Sequence, residues 1–492
     1  MNSRVLASLH SALGRRVALT DDWQSFTYSE LRAAVDAESR WLMRSAVSSC
    51  ALLADNGASW AIADLSLLQS RALHVPLPVW FTEDQIDHVL DDAGLEFVLT
   101  DQPRRFLDRC DRLRVCGIAP RSQLTLLRRQ TSLAPRMQAD VVKVTYTSGS
   151  TGAPKGVCLT VEALESVARS VACATSLRIG RHLCAMPLAT LLENVAGVYG
   201  SILLEATCAV PSSRTMGMDY GSVDAAAFVA AISRESPHSL IVPPELLRLL
   251  VAATRKGWRP PADLRFIAVG GATVSQALLD EAMTLGLPAY QGYGLSECAS
   301  VVCLNTPGAQ RAHSVGKPLP HARVRIDEHG QIVVGGAVMR GYLGLQAAAP
   351  AEIETGDLGE IDADGYLFVR GRLKNMFITS MGRNVSPEWV EAELMRELSI
   401  GQAVVSGEGR PWPCALIWPS SQTITIQDIE RAVSCANERL PNYAQVRRWA
   451  RLPQPLGFAG GTLTANGRPR RDVIARDYGA LVEDLYAVEL AS

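Results

Sequence analysis

The run VVKVTYTSGSTGAPKG at residues 141–156 constrains the fold of this chain more than any other stretch. It begins as an apolar, β-branched strand, breaks into a loop of Thr, Ser and Gly, and returns to an apolar strand at residues 157–159. Glycines permit a tight loop whose backbone N–H groups converge, and the hydroxyl groups add donors, so the loop suits the phosphates of a nucleotide. The predicted phosphate-binding residues are Thr147, Ser148, Gly149, Ser150, Thr151, Gly152 and Lys155.

This loop differs from the Walker P-loop in the order of its last residues. The Walker form places Gly-Lys before Ser or Thr at the head of a helix, whereas here Lys155 precedes Gly156 and a strand follows. An ordinary Ser/Gly hairpin turn is the alternative interpretation of the run.

Length and charge exclude several classes of protein. A chain of 492 residues exceeds one compact core, which predicts two or three domains. The formal net charge of -2 gives no indication of nucleic acid or an anionic membrane as the main partner. No run of eighteen apolar residues occurs, so no membrane span is expected, and the N-terminal residues read as a helix entering the first domain instead of a signal peptide.

The cysteines and histidines indicate reduced thiols and no structural metal site. The eleven cysteines include no C-x-x-C pair, and the eight histidines form no cluster in the sequence, so no structural metal is expected. Cys158, Cys184, Cys208 and Cys298 lie in apolar stretches, which predicts buried free thiols and a cytoplasmic location.

Apolar strands and amphipathic helices alternate through the first hundred residues. Strands are expected at residues 47–54 and 72–76, with helices capped by Thr27 and at residues 60–70. This alternation predicts an α/β fold with a parallel, helix-covered sheet. Residues 103–140 are poor in pattern and are expected to form surface structure.

The glycine loop and a second motif together resemble one known family. TYTSGSTGAPKG at residues 145–156 resembles the phosphate-binding loop of the adenylate-forming superfamily, which includes acyl-CoA synthetases, aryl-CoA ligases, adenylation domains and luciferases. YGLSE at residues 293–297 matches the superfamily motif Y-G-x-[ST]-E in full. The resemblance implies that Tyr293 stacks near adenine, that Ser296 touches the α-phosphate and that Glu297 holds Mg²⁺, which prefers oxygen ligands.

Further segments match the superfamily in order and spacing. The resemblance implies that Asp357 accepts the ribose hydroxyls, that Arg372 contacts ribose and phosphate, and that Lys374 marks a hinge. Glycines at the end of a predicted strand, residues 264–269, allow a flat ring to approach closely, although an ordinary strand-to-helix turn has the same composition. The remaining implied ATP contacts are Gly270, Gly271, Ala272, Gln291, Gly292 and Gly294, and the implied border of an acceptor channel is Gly382, Arg383 and Asn384.

Residues 187–197 resemble the P-L-x-H-x-x-E-R segment of long-chain acyl-CoA synthetases, with Thr190 in place of the usual His. Its apolar residues have helical spacing, which fits a core helix as well as a pocket wall. The resemblance favours a pocket for the acyl group, lined by Thr190, Leu191, Glu193, Asn194, Val198 and Gly270. The adenylation-domain aspartate that binds an amino group is missing, which disfavours an α-amino acid substrate.

One position departs from the family pattern. Residues 463–471 read LTANGRPRR, and Arg468 stands where the family has the lysine of an Asn-Gly-Lys motif. Arginine keeps the charge but has a bulkier, planar head group. Three hypotheses follow: Arg468 substitutes for the lysine, adenylation is slow, or the protein binds a nucleotide without turnover.

The sequence therefore predicts a large N-terminal domain of helix-covered sheets with a β-structured subdomain, residues 1–372, and a small mobile α+β C-terminal domain, residues 373–492. The resemblance implies an enzyme with Lys155, Glu297 and Arg468 as catalytic residues, which uses ATP and Mg²⁺ to convert a fatty or aryl carboxylic acid into acyl-AMP and pyrophosphate. CoA or the phosphopantetheine of a carrier protein is the expected acceptor. An amine acceptor, giving an amide, and a non-catalytic nucleotide-binding protein are the alternatives.

Overall fold

A computed structural model describes residues 3–11, 14–108, 113–130, 140–147, 154–175, 179–219, 222–272, 274–345, 349–457, 460–463 and 467–487. The α-helices of these ranges are α1 (Arg4–Ser11), α2 (Tyr28–Arg44), α3 (Ala58–Ser70), α4 (Glu83–Asp92), α5 (Pro103–Leu107), α6 (Val161–Ala174), α7 (Gly200–Leu203), α8 (Ala225–Glu235), α9 (Pro244–Arg255), α10 (Gln276–Thr284), α11 (Pro387–Leu394), α12 (Ile426–Glu438) and α13 (Arg471–Ala487). A π-helix (Glu193–Tyr199) precedes α7, and short 3₁₀ turns occupy Ser296–Cys298, Leu373–Asn375 and Asn442–Ala444.

The strands are, in chain order, β1 (Val17–Thr20), β2 (Ser25–Thr27), β3 (Ser49–Leu53), β4 (Leu73–Pro76), β5 (Phe97–Thr100), β6 (Leu113–Ile118), β7 (Thr125–Arg129), β8 (Val141–Thr147), β9 (Lys155–Thr160), β10 (Arg181–Leu183), β11 (Thr207–Ala209), β12 (Met218–Asp219), β13 (Ser222–Val223), β14 (Ser239–Val242), β15 (Phe266–Val269), β16 (Ala289–Leu295), β17 (Ser300–Leu304), β18 (Lys317–Pro318), β19 (Ala322–Ile326), β20 (Gln331–Gly336), β21 (Gly341–Tyr342), β22 (Glu352–Ile361), β23 (Leu367–Arg372), β24 (Phe377–Ile378), β25 (Asn384–Val385), β26 (Ile400–Ser406), β27 (Cys414–Pro419) and β28 (Arg448–Arg451).

Two large sheets organise the N-terminal part of the described chain. One has nine strands in the order β18-β17-β16-β15-β14-β10-β11-β1-β2, and the other has eight in the order β21-β9-β8-β4-β3-β5-β7-β6. In the nine-stranded sheet, neighbouring strands in the run β11-β10-β14-β15-β16 are parallel. In the eight-stranded sheet, the pairs β3-β4, β3-β5 and β4-β8 are parallel. The predicted α/β fold with parallel, helix-covered sheets is confirmed.

Helices fill the space between the two sheets and cover their outer faces. The largest apolar cluster joins α2, α3, α6 and the π-helix with side chains from β3 and β9 of one sheet and β11 and β17 of the other. A second cluster packs α8, α9 and α10 on the outer face of the nine-stranded sheet, and a third packs α4 on the outer face of the eight-stranded sheet. The layers therefore alternate helix, sheet, helix, sheet, helix.

Local sequence signals explain the start of helix α2 and the weak strand pattern at one sheet edge. Thr27 caps α2 in a capping box with Glu30, as predicted for that residue. Residues 103–140, expected as surface structure, include α5 and the antiparallel strands β6 and β7 at one edge of the eight-stranded sheet. Strand β6 alternates exposed Arg and Cys with apolar residues, which gives a weak strand pattern in the sequence.

The β-structured subdomain and the C-terminal lobe follow. Strands β19-β20-β22-β23 form an antiparallel sheet. In the C-terminal lobe, strands β26-β27-β28 carry α11 and α12 against one apolar cluster and α13 against another. The expected α+β composition of this lobe is confirmed, whereas its mobility and the boundary at residue 372 stay predictions.

Candidate active site

The glycine loop closes a hairpin of the eight-stranded sheet. Strands β8 and β9 pair antiparallel, with Thr147 opposite Lys155, so the loop leaves and returns at the same edge. The remaining predicted loop residues, Ser148, Gly149, Ser150, Thr151 and Gly152, lie outside the described residues. Lys155 begins β9 with an exposed side chain, whose Nζ lies 5.6 Å from the centroid of the Tyr342 ring.

Tyr342 connects Lys155 with the predicted magnesium ligand. Its hydroxyl donates to Glu297 Oε1 at 2.9 Å, and it lies in β21, which pairs with β9 beside Val157. Burial and then the Glu297 carboxylate raise the pKa of Tyr342, so the phenol stays a donor. The Met339 N–H donates to the Glu297 carbonyl at 2.7 Å and holds the 3₁₀ turn in place. The predicted phosphate loop and the YGLSE motif therefore meet at Tyr342.

A second contact group joins Tyr293, Asp357 and Arg372. Asp357 lies directly opposite Arg372 on the antiparallel pair β22-β23, and Arg372 Nε lies 2.7 Å from Asp357 Oδ1. The Tyr293 hydroxyl donates to Asp357 Oδ2 at 2.7 Å. Burial, followed by the Asp357 charge, raises the pKa of Tyr293 well above its usual value. The structure thus brings together Tyr293 and Asp357, which are 64 positions apart, and Arg372, which lies 15 positions after Asp357.

Gly271, after the end of β15, has free space beside its backbone, whereas Gly294 in β16 is closely packed. Gly271 has a φ of +86°, and no heavy atom lies within 4 Å of the position that a Cβ would take there. At Gly294, by contrast, a Cβ would lie 1.7 Å from the Ser300 carbonyl oxygen, so no side chain fits between the paired strands β16 and β17. Gln291 pairs with Val269 in parallel register, which sets residues 270–272 beside residues 292–296.

Arg468 reaches this group from the C-terminal lobe. Its Nε donates to the Gly271 carbonyl at 3.0 Å, across 197 positions of the chain. The neighbouring Gly467 approaches Glu245 of α9, because a Cβ there would lie 3.2 Å from Glu245 Oε1. Desolvation between the lobes and then the like charge of Arg372 lower the pKa of Arg468, although its side chain keeps contact with solvent. The guanidinium therefore lies in a solvent-exposed position at the junction of the two lobes, which we call the cleft.

Lys374 sits where the chain passes from one lobe to the other. It lies in the 3₁₀ turn directly after β23. Partial burial, then the charges of Arg372 and Arg468, lower the pKa of Lys374, which places its ammonium group beside both guanidinium groups.

The predicted channel residues lie on the hairpin of β24 and β25 and are exposed, with Gly382 at a φ of +71°. Those residues are Gly382, Arg383 and Asn384.

An apolar cavity of about 50 Å³ lies beside the π-helix. Its wall on that side is formed by Leu192, Ala196 and Gly200, while Leu191 and Val198 are buried in the core. Glu193 and Asn194, both also predicted to line an acyl pocket, are fully buried in hydrogen-bonded groups. The cavity thus faces the opposite side of the π-helix from most of the predicted lining residues, and the role of those residues stays a prediction.

Asn194 belongs to a polar group that the sequence analysis did not identify. Lys143 Nζ donates to Asp64 Oδ1 at 2.8 Å and to Tyr199 OH at 3.0 Å, and it also contacts the Asn194 amide oxygen. His74 Nε2 lies 3.1 Å from Asp64 Oδ1. Burial alone would raise the pKa of Asp64, but Lys143 and His74 outweigh it and lower that pKa. We call these five residues the lysine cluster; the signal for it was a lysine in an apolar strand and an aspartate in an apolar helix.

Glu193 belongs to a second buried group. Its Oε1 lies 2.9 Å from His182 Nε2, its Oε2 accepts the Met186 N–H at 3.0 Å, and His182 Nδ1 lies 2.9 Å from Ser239 Oγ. Ligand atoms of His182, Cys184 and Glu193 lie within 4.8 Å of one another, which makes them a possible metal-binding group among the described residues. This group could not be recognised in the sequence, because Glu193 lies eleven positions from His182.

The predicted free thiols are confirmed for the cysteines that the structure describes. Cys158, Cys184, Cys208 and Cys298 are buried and form no disulfide. No described helix combines the length and the apolar character that crossing a bilayer requires.

Comparison with known families gives two matches along the chain. The model of the AMP-binding enzyme family matches residues 10–343, and the model of the AMP-binding enzyme C-terminal domain matches residues 374–489. The first match covers more than half of the chain.

Curated relatives and solved structures agree with these matches. The chain is 27% identical over 520 residues to a long-chain-fatty-acid–CoA ligase, FadD15, of Mycobacterium bovis, covering 87% of this chain and 86% of that protein. It is 28% identical over 424 residues to the 2-succinylbenzoate–CoA ligase of Bacillus subtilis, covering 81% and 83%.

Two solved structures have the same fold. The anthranilate CoA ligase AuaEII in complex with anthranoyl-AMP superposes with a TM-score of 0.80 at 18% identity, covering 97% of this chain and 99% of that one. The Bacillus subtilis O-succinylbenzoate Coenzyme A synthetase in complex with ATP and magnesium ion gives a TM-score of 0.76 at 24% identity, covering 95% and 98%.

Proposed function

This chain belongs to the AMP-binding enzyme family, and from that premise we propose that it activates a carboxylic acid with ATP. The products of the first step are acyl-AMP and pyrophosphate, and the second step passes the acyl group to the thiol of CoA or of a carrier protein. The N-terminal domain, residues 1–372, would bind ATP and the acid, and the C-terminal domain, residues 373–492, would deliver Arg468.

One observation carries this proposal: residues from both lobes converge on one cleft. Arg468 contacts the Gly271 carbonyl at the end of β15, and it lies close enough to Arg372, Asp357 and Glu297 for their charges to act on its guanidinium. Arg372 and Arg468 both bring positive charge to this region, and Asp357 and Glu297 bring negative charge. Positive charges gathered in this way suit the phosphates of a nucleotide.

The cleft residues have distinct roles in the proposed first step. Lys155 and Arg468 offset the charge that builds up on the α-phosphate when the carboxylate attacks in line. Asp357, held by Arg372 and Tyr293, presents a fixed carboxylate to the ribose hydroxyls. The open backbone at Gly270 and Gly271 gives the adenine ring and the reacting groups room to approach.

Glu297 fits the proposed magnesium ion. Among the described residues, Tyr342 is the group that donates to its carboxylate, and it reaches Oε1. A single carboxylate matches the way Mg²⁺ is usually held, with water and phosphate oxygens completing its shell. When bound, the ion would neutralise phosphate charge, and Tyr342 would keep the carboxylate oriented toward it.

The acceptor is proposed from the relatives and the hinge. The named relatives are CoA ligases, which favours a thiol acceptor over an amine. Lys374 lies between the lobes, and rotation about this turn would withdraw Arg468 after the first step and admit the thiol. Gly382, Arg383 and Asn384, on an exposed hairpin, would then border the channel.

A pyrophosphate-release assay with fatty and aryl acids tests the first step, and CoA ester formation measured by chromatography tests the second. We expect ATP-dependent pyrophosphate release with at least one acid, followed by a CoA ester. ATP binding without pyrophosphate release from any acid would favour the non-catalytic alternative, to which the arginine at position 468 points. Acyl-AMP that yields an amide with amines, and no CoA ester, would contradict the thiol acceptor.

A further inference from the structure

The apolar cavity beside the π-helix also has polar residues in its lining. Most of its lining consists of aliphatic side chains and Phe266, and four polar residues complete it: Thr175, His182, Ser201 and Ser239. His182 and Ser239 pair in register on the neighbouring strands β10 and β14, and Ser239 pairs in turn with Phe266 on β15. His182 and Ser239 are 5% and 3% exposed, so their polar atoms meet the cavity and not bulk solvent.

Ser239 lies away from the nucleotide cleft. Phe266 and Ala268 both line the cavity, and since side chains alternate along a strand, Gly270 lies on the same face. Four residues of β-structure separate Phe266 from Gly270, which is about 13 Å along the strand. An acid with its carboxylate near Gly270 would therefore point its far end toward Ser239.

The hydrogen bonds of His182 leave Ser239 able to accept a further one. His182 Nε2 lies 2.9 Å from Glu193 Oε1, and His182 Nδ1 lies 2.9 Å from Ser239 Oγ, so the imidazole is held at both nitrogens. A hydroxyl group has one O–H donor and two acceptor lone pairs. The bond to Nδ1 uses one of these three, whichever group carries the hydrogen, so the Ser239 oxygen keeps at least one lone pair that can accept a further donor.

The shape of the cavity limits the ligand further. A volume of about 50 Å³ holds only a few water molecules, so binding of a substrate requires lining side chains to move. A straight aliphatic chain needs less of this rearrangement than an aromatic ring does.

We propose that Ser239, oriented by His182 and Glu193, selects straight-chain carboxylic acids that carry a hydroxyl group at the end far from the carboxylate. The hydroxyl would donate to Ser239 Oγ. This inference rests on the proposed function, because it assumes that the cavity receives the acyl chain. Ser239 would determine specificity, and His182 and Glu193 would be positioning residues that fix its hydroxyl.

The test compares matched substrates. Initial rates of ATP-dependent pyrophosphate release give kcat/KM for straight-chain acids of increasing length and for the same acids with a terminal hydroxyl. At the best length we expect the wild-type protein to prefer the hydroxy acid about tenfold, the typical effect of one hydrogen bond. Ser239→Ala should abolish that preference, so that the ratio of kcat/KM for the hydroxy acid to kcat/KM for the parent acid falls to about one.

Ser201→Ala is the matched control, because Ser201 is the other serine that lines this cavity. It should keep the preference for the hydroxy acid. Equal kcat/KM for hydroxy and parent acids at every length in the wild-type protein would overturn the proposal without any variant. Loss of the preference in Ser201→Ala but not in Ser239→Ala would overturn the assignment to Ser239. Pyrophosphate release from no acid at all is a different result, since it overturns the proposed function itself.

Discussion

Charged side chains occur both in the cleft between the lobes and around the π-helix, but their surroundings differ. In the cleft, Arg372 keeps 30% of its side chain exposed, and Arg468 also stays in contact with solvent. Around the π-helix, Lys143, Asp64 and Glu193 are 0% exposed. The arginines of the cleft can therefore be reached from solvent, whereas the charged groups around the π-helix are enclosed by protein and bonded to one another.

The largest expected effect separates the two regions by stability. Lys143→Met removes the cation from the lysine cluster and leaves the Asp64 carboxylate buried without it, which should lower the free energy of unfolding by about 3–5 kcal/mol. Chemical denaturation of the N-terminal domain measures this loss.

Arg370→Ala is the control for that measurement. It breaks an ion pair with Glu360 whose side chains are 60% and 58% exposed, and it should cost less than about 1 kcal/mol. Similar losses in the two variants would contradict the distinction between buried and exposed charges.

The next prediction concerns the cleft. Arg468→Ala should slow acyl-AMP formation about 10²- to 10³-fold, because a charge aimed at the transferring phosphoryl group is lost. Its unfolding free energy should stay within about 0.5 kcal/mol of wild type, since the side chain is partly solvated. Single-turnover measurement of acyl-AMP formation, combined with denaturation, checks both parts.

Arg468→Lys serves as the matched variant, because it restores the residue that the family motif contains. It should retain far more of the rate than the alanine variant does. A normal rate in Arg468→Ala would show that this residue is not catalytic.

A smaller effect is expected from Gly197→Ala in the π-helix. A Cβ at this position would lie 2.5 Å from Glu193 Oε1 and 2.9 Å from His182 Nε2, so the buried pair must shift. We expect a loss of about 1–3 kcal/mol, as for other overpacked cores. The melting temperature of the variant provides the measurement.

Gly200→Ala, three residues further on, is the control. Its Cβ would have the Val195 carbonyl oxygen at 3.8 Å as its nearest neighbour, an ordinary contact, and alanine is the better helix former. This variant should be as stable as wild type or slightly more so. Destabilisation of Gly200→Ala to the same extent would show that the loss does not come from contact with the Glu193–His182 pair.

Much of the fold could be predicted from local pattern. Alternating strands and helices indicated parallel sheets, and Thr27 marked the start of α2 through its capping box. Strands β6 and β7 were not predicted, because β6 is exposed at most positions along the sheet edge and β7 has only two buried residues, so neither gives a strong apolar pattern.

The candidate site was predicted unevenly for a physical reason. Tyr293, Glu297, Asp357 and Arg372 lie in short motifs, and the structure brings them to one cleft. The lysine cluster joins α3, β4, β8 and the π-helix, so no single stretch of sequence contains it. The predicted acyl-pocket residues stay a prediction; the observed cavity is lined by their neighbours Leu192 and Ala196.

The sequence by itself predicted the α/β class from its alternating strands and helices, and the resemblance of its short motifs to the adenylate-forming superfamily predicted the two lobes and the cleft residues. Only the tertiary structure decided which charges face an open space and which are paired in the core. That decision depends on contacts across 51 to 135 positions, such as Lys143 with Asn194 and Tyr199 with Asp64. Burial makes an unpaired charge costly, so the fold pairs those groups internally, whereas Arg372 and Arg468 keep contact with solvent.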